Sequence, residues 1–359
     1  MRAAVVMETG QETVDIRDDI EVLGPDAGEV RVEIKATGVC HSDLSAMNGT
    51  IPQPAPCVLG HEGAGVVVEV GEGVTNVKPG DHVVAVWIPP CGKCRVCLHG
   101  QPNLCMEMSM SAMGNPRFAV DGQPFFGFAG TGTFAEETVM SQHAVVKIPD
   151  DIPFEIGALI GCGVTTGVGA AINTAKVEVG ASVCVVGTGG VGISVVQGAR
   201  IAGAAEIVAV DMMAHKAEQA LGFGATHAVT PDQVEEVKND LTAGAGFDYV
   251  FDVVGNPATI RQSYNLTRRG GECVIVGVGR MEQMVEFSAF ELFYMEKALK
   301  GSIYGSADVR REFPRLLNLW KTGRLDLEGM ITNTVKLENL QDAFDAMTSG
   351  EVIRQIVTF

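Results

Sequence analysis

The chain has 359 residues, enough for about two domains. Hydrophobic residues make up 46% and charged residues 19%, so it can bury real cores, which excludes a disordered chain. Its formal net charge of -18 opposes a nucleic-acid partner and an anionic membrane surface, since both are bound through clustered Lys and Arg.

The opening "MRAAVVMETGQE" turns acidic at Glu8 and has no small-residue cleavage site after an apolar run. No signal peptide is expected, and a cytoplasmic location follows. Next, "EVRVEIKA" alternates Val30, Val32 and Ile34 with charged residues, the period of a half-buried strand. The Val-rich runs "GAGVVVEVGEGV" and "VKPGDHVVAV" follow, divided by Gly and Pro-Gly turns, and predict an all-β barrel or a partly open sheet. Beyond Cys162 the pattern changes. Apolar runs ("SVCVVG", "EIVAVD", "YVFDVVG", "ECVIVGV") alternate with helical stretches such as 191–202 and 257–267, which predicts a parallel sheet covered by helices. The most apolar stretch, 181–210, is interrupted by glycines, Gln197, Arg200 and Glu206 and suits a buried sheet and helix, not a membrane span. From Tyr304 an amphipathic segment, "RREFPRLLNLWKTG", and a closing "RQIVTF" either extend this alternating region or return to the first; periodicity leaves both open.

"VVGTGGVGISVV" has Gly187, Gly189 and Gly192 as GxGxxG between a strand and a helix, with Asp211 ending the next strand. Strand, helix and acidic residue together turn a weak motif into a dinucleotide site. Gly187 allows the tight turn, Gly189 the approach of the pyrophosphate, and Gly192 close packing of helix on strand. Gly190 opens the helix whose N-terminus receives that pyrophosphate. Asp211 would accept the ribose hydroxyls and repel a 2′-phosphate, so NAD is expected rather than NADP, with Lys216 adding a ribose contact. The competing reading is a Gly-rich turn that only shapes the sheet.

Nine cysteines without a secretory signal point to metal ligands or packed thiols, not disulfides. Cys91, Cys94, Cys97 and Cys105 follow C-x2-C-x2-C-x7-C. Four thiolates fill the coordination of a tetrahedral zinc and leave no place for substrate, the mark of a structural site. Lys93 and Arg95 stand where they offset its negative charge, and an iron–sulfur cluster fits the spacing less well. Cys40 in "GVCHSD", His61 in "VLGHEGAG" and Cys162 in "LIGCGVTTG" each fit a buried thiol or core histidine when taken alone.

Taken together, "CHSD", "GHEGAGVVVEVGEGV", "CGKCRVC", "GCGVTTG", "GTGGVG" and "IRQIVTF" stand in the order of the medium-chain zinc-dependent alcohol dehydrogenases, and the chain resembles that family from end to end. The resemblance implies an α/β fold, a Rossmann doubly wound parallel sheet inserted in a GroES-like β-rich catalytic domain. Residues 1–163 would form the catalytic domain, with a structural-zinc lobe at about 88–108; 164–303 would bind NAD, and 304–359 would return to the catalytic domain. Cys40, His61 and Cys162 would hold a catalytic zinc with one position open, beside the structural zinc. Asp43 would orient His61, Glu62 would sit behind the metal, and Ser42 would receive the hydroxyl proton. Thr166 and Val191 would pack the nicotinamide, His41 and Arg354 would touch the pyrophosphate, and Trp87 and Phe128 would line the substrate pocket. One departure is Ser45, where many relatives carry a histidine that ends the proton relay.

The activity implied is reversible hydride transfer between a hydrophobic primary or aromatic alcohol and NAD. Glutathione-dependent formaldehyde dehydrogenases resemble the chain too, but carry an arginine soon after the fourth cysteine, and "MEMSM" at 106–110 has none. A nicotinoprotein with retained NAD and an external acceptor is a second enzyme reading, and a non-catalytic zinc and nucleotide-binding module a third. The partners expected are a small alcohol or aldehyde and a second copy of the chain, as homodimer or homotetramer, joined near "ALKGSIYG".

Overall fold

The structure, a computed structural model, describes residues 1–359. The chain forms two compact units, each described by itself: residues 1–162, 308–318 and 327–359 make the first, 163–307 and 319–326 the second.

The first unit is built on the strand Glu29–Gly38, whose inward Val30, Val32 and Ile34 are buried to 2% exposure or less. It pairs antiparallel with Gly63–Val70, with Glu137–Ser141 against its first half, and with the closing strand Arg354–Thr358 against its last residues. The "RQIVTF" segment thus joins the sheet of the first unit, pairing also with Ile331–Val335. Alternation suggested one barrel or open sheet; the unit has a seven-stranded and a six-stranded sheet. The six-stranded sheet draws in the short pieces Phe118–Val120 and Gln123–Gly127, whose length carries no clear period.

Register positions the site. Thr37 is opposite Gly63, and the Gly38 N–H donates to the Glu62 carbonyl at 3.1 Å. Antiparallel pairing therefore brings Cys40, two residues past one strand's end, beside His61, two residues before the next strand's start. Ile356 opposite Gly38 sets Arg354 at the same end of the sheet. The buried helix Phe154–Ile160 packs on these strands and hands the chain to Cys162.

The second unit holds six parallel strands in the order His227–Val229, Glu206–Val210, Ser182–Val186, Phe247–Asp252, Thr267–Ile275, Ala298–Gly301. Strand order reverses beside Ser182–Val186, the switch point where open α/β sheets bind ligands. That strand feeds the glycine loop and the helix Gly190–Ala202. No single helix in the chain is long and apolar enough to cross a membrane.

Candidate active site and nucleotide loop

Cys40 caps the helix His41–Met47, and Asp43, three residues on, returns its carboxylate to the Cys40 N–H at 3.3 Å. Asp43 is fully buried, and its other oxygen accepts from the Gly60 N–H at 3.0 Å and faces His61 Nδ1 at 3.2 Å. One carboxylate thus ties both ligand-bearing turns together. Since Nδ1 is occupied by Asp43, Nε2 is the free ring nitrogen, buried and without a hydrogen-bond partner in the protein.

Cys40, His61, Glu62 and Cys162 each offer a ligand atom within 4.8 Å of the others, and all four are buried. The donors suit zinc: two thiols, an imidazole nitrogen with nothing else to bond, and a carboxylate. Burial opposes charge on His61, but Asp43 and Cys40 outweigh it and push the imidazole up to about 10. A hydrogen bond from Cys162 holds Cys40 well below the ordinary thiol range, against the effect of burial.

Glu62 is also paired with Arg354, and both are buried. A Cβ on Gly38 would run into this pair, so glycine is what makes room for it. Ser42 Oγ lies 3.6 Å from Cys40 Sγ. Phe128 stands edge-on to His61 with ring centroids 5.1 Å apart, and Trp87 does so at 6.4 Å, giving the cluster an aromatic wall. His41 is exposed at the start of its helix, and Ser45 is half-buried one turn on.

The second cluster, Cys91, Cys94, Cys97 and Cys105, is built within 15 residues and is half-exposed except for Cys105. Its sulfurs also lie within 4.8 Å of one another, so they fit a single tetrahedral ion. Main-chain N–H groups of Lys93 and Cys94 point at Cys91 Sγ at 3.4 and 3.2 Å, and that of Cys91 at Cys105 Sγ at 3.4 Å. The Lys93 N–H leads the effects that lower the Cys91 thiol to about 7, while burial raises Cys97 to about 12. Lys93 was expected to help through its side-chain charge; the contact in the structure is through its backbone N–H. None of the nine cysteines is in a disulfide.

In the second unit the three glycines differ in why they are glycine. Gly187 has φ of +94°, and a Cβ on Gly192 would strike the Gly187 carbonyl oxygen. Gly189 has φ of −70° and open space where a Cβ would go, so the fold does not require glycine there. Asp211 accepts from Thr188 and Met213, and Lys216 sits half-buried in the helix Ala214–Gly222. Thr166 is 9% exposed with an unpartnered Oγ1, on a helix packed so closely on Gly190–Ala202 that a Cβ at Gly167 would meet the Val191 carbonyl. Gly38 and Thr188 were missed by sequence reasoning: Thr188 is an x of GxGxxG, and Gly38, ahead of the CHSD box, owes its importance to Glu62 and Arg354, which are distant along the chain.

Residues 26–150 match the alcohol dehydrogenase GroES-like domain, and residues 190–322 match the zinc-binding dehydrogenase family. The S-(hydroxymethyl)glutathione dehydrogenase of Paracoccus denitrificans is 42% identical over 100% of this chain and 99% of its own. The chain belongs to the zinc-dependent medium-chain alcohol dehydrogenases. This family comprises oxidoreductases that use zinc and NAD, and the chain is an enzyme of that class. An alcohol dehydrogenase class-3 of Cereibacter sphaeroides is 41% identical over 100% of this chain and 99% of its own. The crystal structure of benzyl alcohol dehydrogenase from Acinetobacter calcoaceticus superposes with TM-score 0.92 at 29% identity, covering 100% of this chain and 99% of that one.

Proposed function

We propose that this zinc alcohol dehydrogenase oxidises hydrophobic primary or aromatic alcohols to aldehydes, reversibly and with NAD, at the Cys40, His61 and Cys162 cluster. The observation that carries the reading is the aromatic wall of Phe128 and Trp87 against His61, with no basic residue in the helix Met106–Met113.

Bound zinc supplies Lewis-acid polarisation of the alcohol oxygen, and bound NAD supplies the hydride acceptor. Cys40, His61 and Cys162 would hold the metal and leave one position open for the alcohol oxygen, while Glu62, paired with Arg354, would stand behind it. Asp43 fixes His61 by its Nδ1 and so aims Nε2. Ser42 Oγ, close to Cys40 Sγ, takes the hydroxyl proton. With Ser45 in place of a base, the proton leaves Ser42 toward solvent or the cofactor ribose. Trp87 and Phe128 exclude water and receive the apolar substituent. Gly187, Gly189, Gly190 and Gly192 cradle the pyrophosphate, Asp211 and Lys216 hold the ribose, and Thr166 and Val191 pack the nicotinamide. His41 meets the pyrophosphate. Arg354 does so only if it shares its guanidinium with Glu62.

The names of the 40–42% identical relatives favour a second reading, a glutathione adduct of formaldehyde. Such a substrate carries carboxylates, and the first arginine after Cys105, Arg117, already bonds Glu29 at 2.7 Å and Asp26 at 2.8 Å. Steady-state turnover decides between them. Benzyl alcohol and octanol should exceed S-(hydroxymethyl)glutathione in kcat/KM by about a hundredfold, the value of two good charge-assisted hydrogen bonds left unmade; the reverse order would refute the apolar reading. NAD retained through purification, with turnover only on adding an electron acceptor, would identify a nicotinoprotein.

The working form is a homodimer or homotetramer. The edge strand Ala298–Gly301 is paired on one side only, and Phe290 and Phe293 beside it are 68% and 80% exposed. Sedimentation giving a monomer would refute this.

A further inference from the structure

We propose that Thr188, in the variable second position of the glycine loop, is a positioning residue whose hydroxyl holds Asp211 in place and thereby sets the preference for NAD over NADP. The proposal rests on the reading of Asp211 as the ribose ligand.

Val186 is opposite Val210 in parallel register, so the two strands end level and their next residues meet. Thr188 donates twice to Asp211 Oδ2, from its N–H and from Oγ1, each at 2.9 Å. Met213 N–H donates to Oδ1 at 3.0 Å. Each carboxylate oxygen has two lone pairs, so Oδ2 is filled by Thr188 and Oδ1 keeps one for an outside donor. A carboxylate held at both oxygens cannot rotate. Thr188 itself is 1% exposed, so its hydroxyl is committed to this contact and not to water.

A fixed carboxylate with one open acceptor suits a ribose hydroxyl, which brings a proton. A 2′-phosphate brings charge and no donor, and meets a negative group that cannot turn aside. The restraint matters because of Lys216, the first cation after Asp211. Were the carboxylate free to swing away, that ammonium would be left to attract a phosphate. The glycines of the loop cannot serve this purpose, and neither can a β-branched shape alone. The hydroxyl is the part that acts.

The zinc-loaded full chain is the material for the test, with Thr188→Val, Thr188→Ser and Asp211→Asn compared by fluorescence titration with NADH and NADPH and by kcat/KM for NAD and NADP. Thr188→Val keeps the shape and removes the hydroxyl; its NADH-to-NADPH affinity ratio should fall about tenfold, the value of one hydrogen bond to a charged group. Thr188→Ser should keep the parent ratio. A Thr188→Val protein with an unchanged ratio would overturn the proposal, as would Thr188→Ser losing as much as Thr188→Val. Should Thr188→Val not fold, Thr188→Ala, which also lacks the hydroxyl, takes its place: a ratio that falls as expected for valine supports the proposal and an unchanged ratio overturns it. A parent chain without NADH preference, or Asp211→Asn that keeps it, would overturn the ribose reading and this proposal with it.

Discussion

The chain carries two four-ligand clusters that differ in almost every physical respect. Cys91, Cys94, Cys97 and Cys105 come from one short segment, lie half-exposed, and take their help from main-chain N–H groups. Cys40, His61, Glu62 and Cys162 come from three distant segments, lie fully buried, and are held by side chains, Asp43 on one side and Arg354 on the other. A local loop can close around an ion by itself, and four thiolates leave nothing open. A site assembled from strand ends needs the whole sheet for its geometry, and its aromatic wall comes from just past two further strands, Trp87 after His82–Ala85 of that sheet and Phe128 after Gln123–Gly127 of the other. The contrast is the one expected between a fastening and the proposed reaction centre.

The comparison can be broken first at the lobe. Cys105→Ser should remove the lobe's metal and lower the melting midpoint, because a structural zinc contributes folding free energy outright. Limited proteolysis within 88–108 should report it, with the buried cluster still binding metal. Asp43→Asn tests the other side: metal affinity of the His61 cluster should fall by about 10–100-fold, the usual effect of losing the partner of a ligating histidine, while the four-cysteine site keeps its ion. Competition with a chelator measures both.

Gly38→Ala probes the room behind Glu62. An added methyl there meets Glu62 and Arg354, so stability should drop by about 1–3 kcal/mol, as for other overpacked cores, visible in the melting midpoint. The nucleotide unit offers a tie that uses no metal. Burial acts to raise the Asp248 carboxyl, but Ser182 and Arg268 outweigh it and hold it below the ordinary range. Its folded value is depressed, so its stabilisation is complete above the unfolded value of about 3.9 and is lost as pH falls through the folded one. Acid titration of Asp248→Asn should lack this dependence, worth about 1 kcal/mol for so accessible a pair.

What the sequence displays is what lies close along it. The glycine loop, the four-cysteine segment and the strand Glu29–Gly38 are legible because spacing and alternation act over a few residues. Arg354 is the counterexample. It is 292 residues from Glu62, and only the register of Arg354–Thr358 against Glu29–Gly38 brings the two together. Sequence reasoning sent it to the pyrophosphate; in the structure it is bonded to Glu62. Thr188 was overlooked for the opposite reason: its neighbour Asp211 was found, but a motif written as GxGxxG gives its x no weight. Short pieces such as Phe118–Val120 have too few residues to show any period, which is why the second sheet was not foreseen.

The most direct test of the division between the two clusters is zinc content and benzyl alcohol turnover measured together in the parent chain, Cys40→Ser and Cys97→Ser. The account predicts about two zinc ions per parent chain and about one in each variant, with turnover abolished in Cys40→Ser and retained, at reduced stability, in Cys97→Ser. Turnover surviving in Cys40→Ser, or lost in a folded Cys97→Ser that keeps its thermal stability, would contradict it.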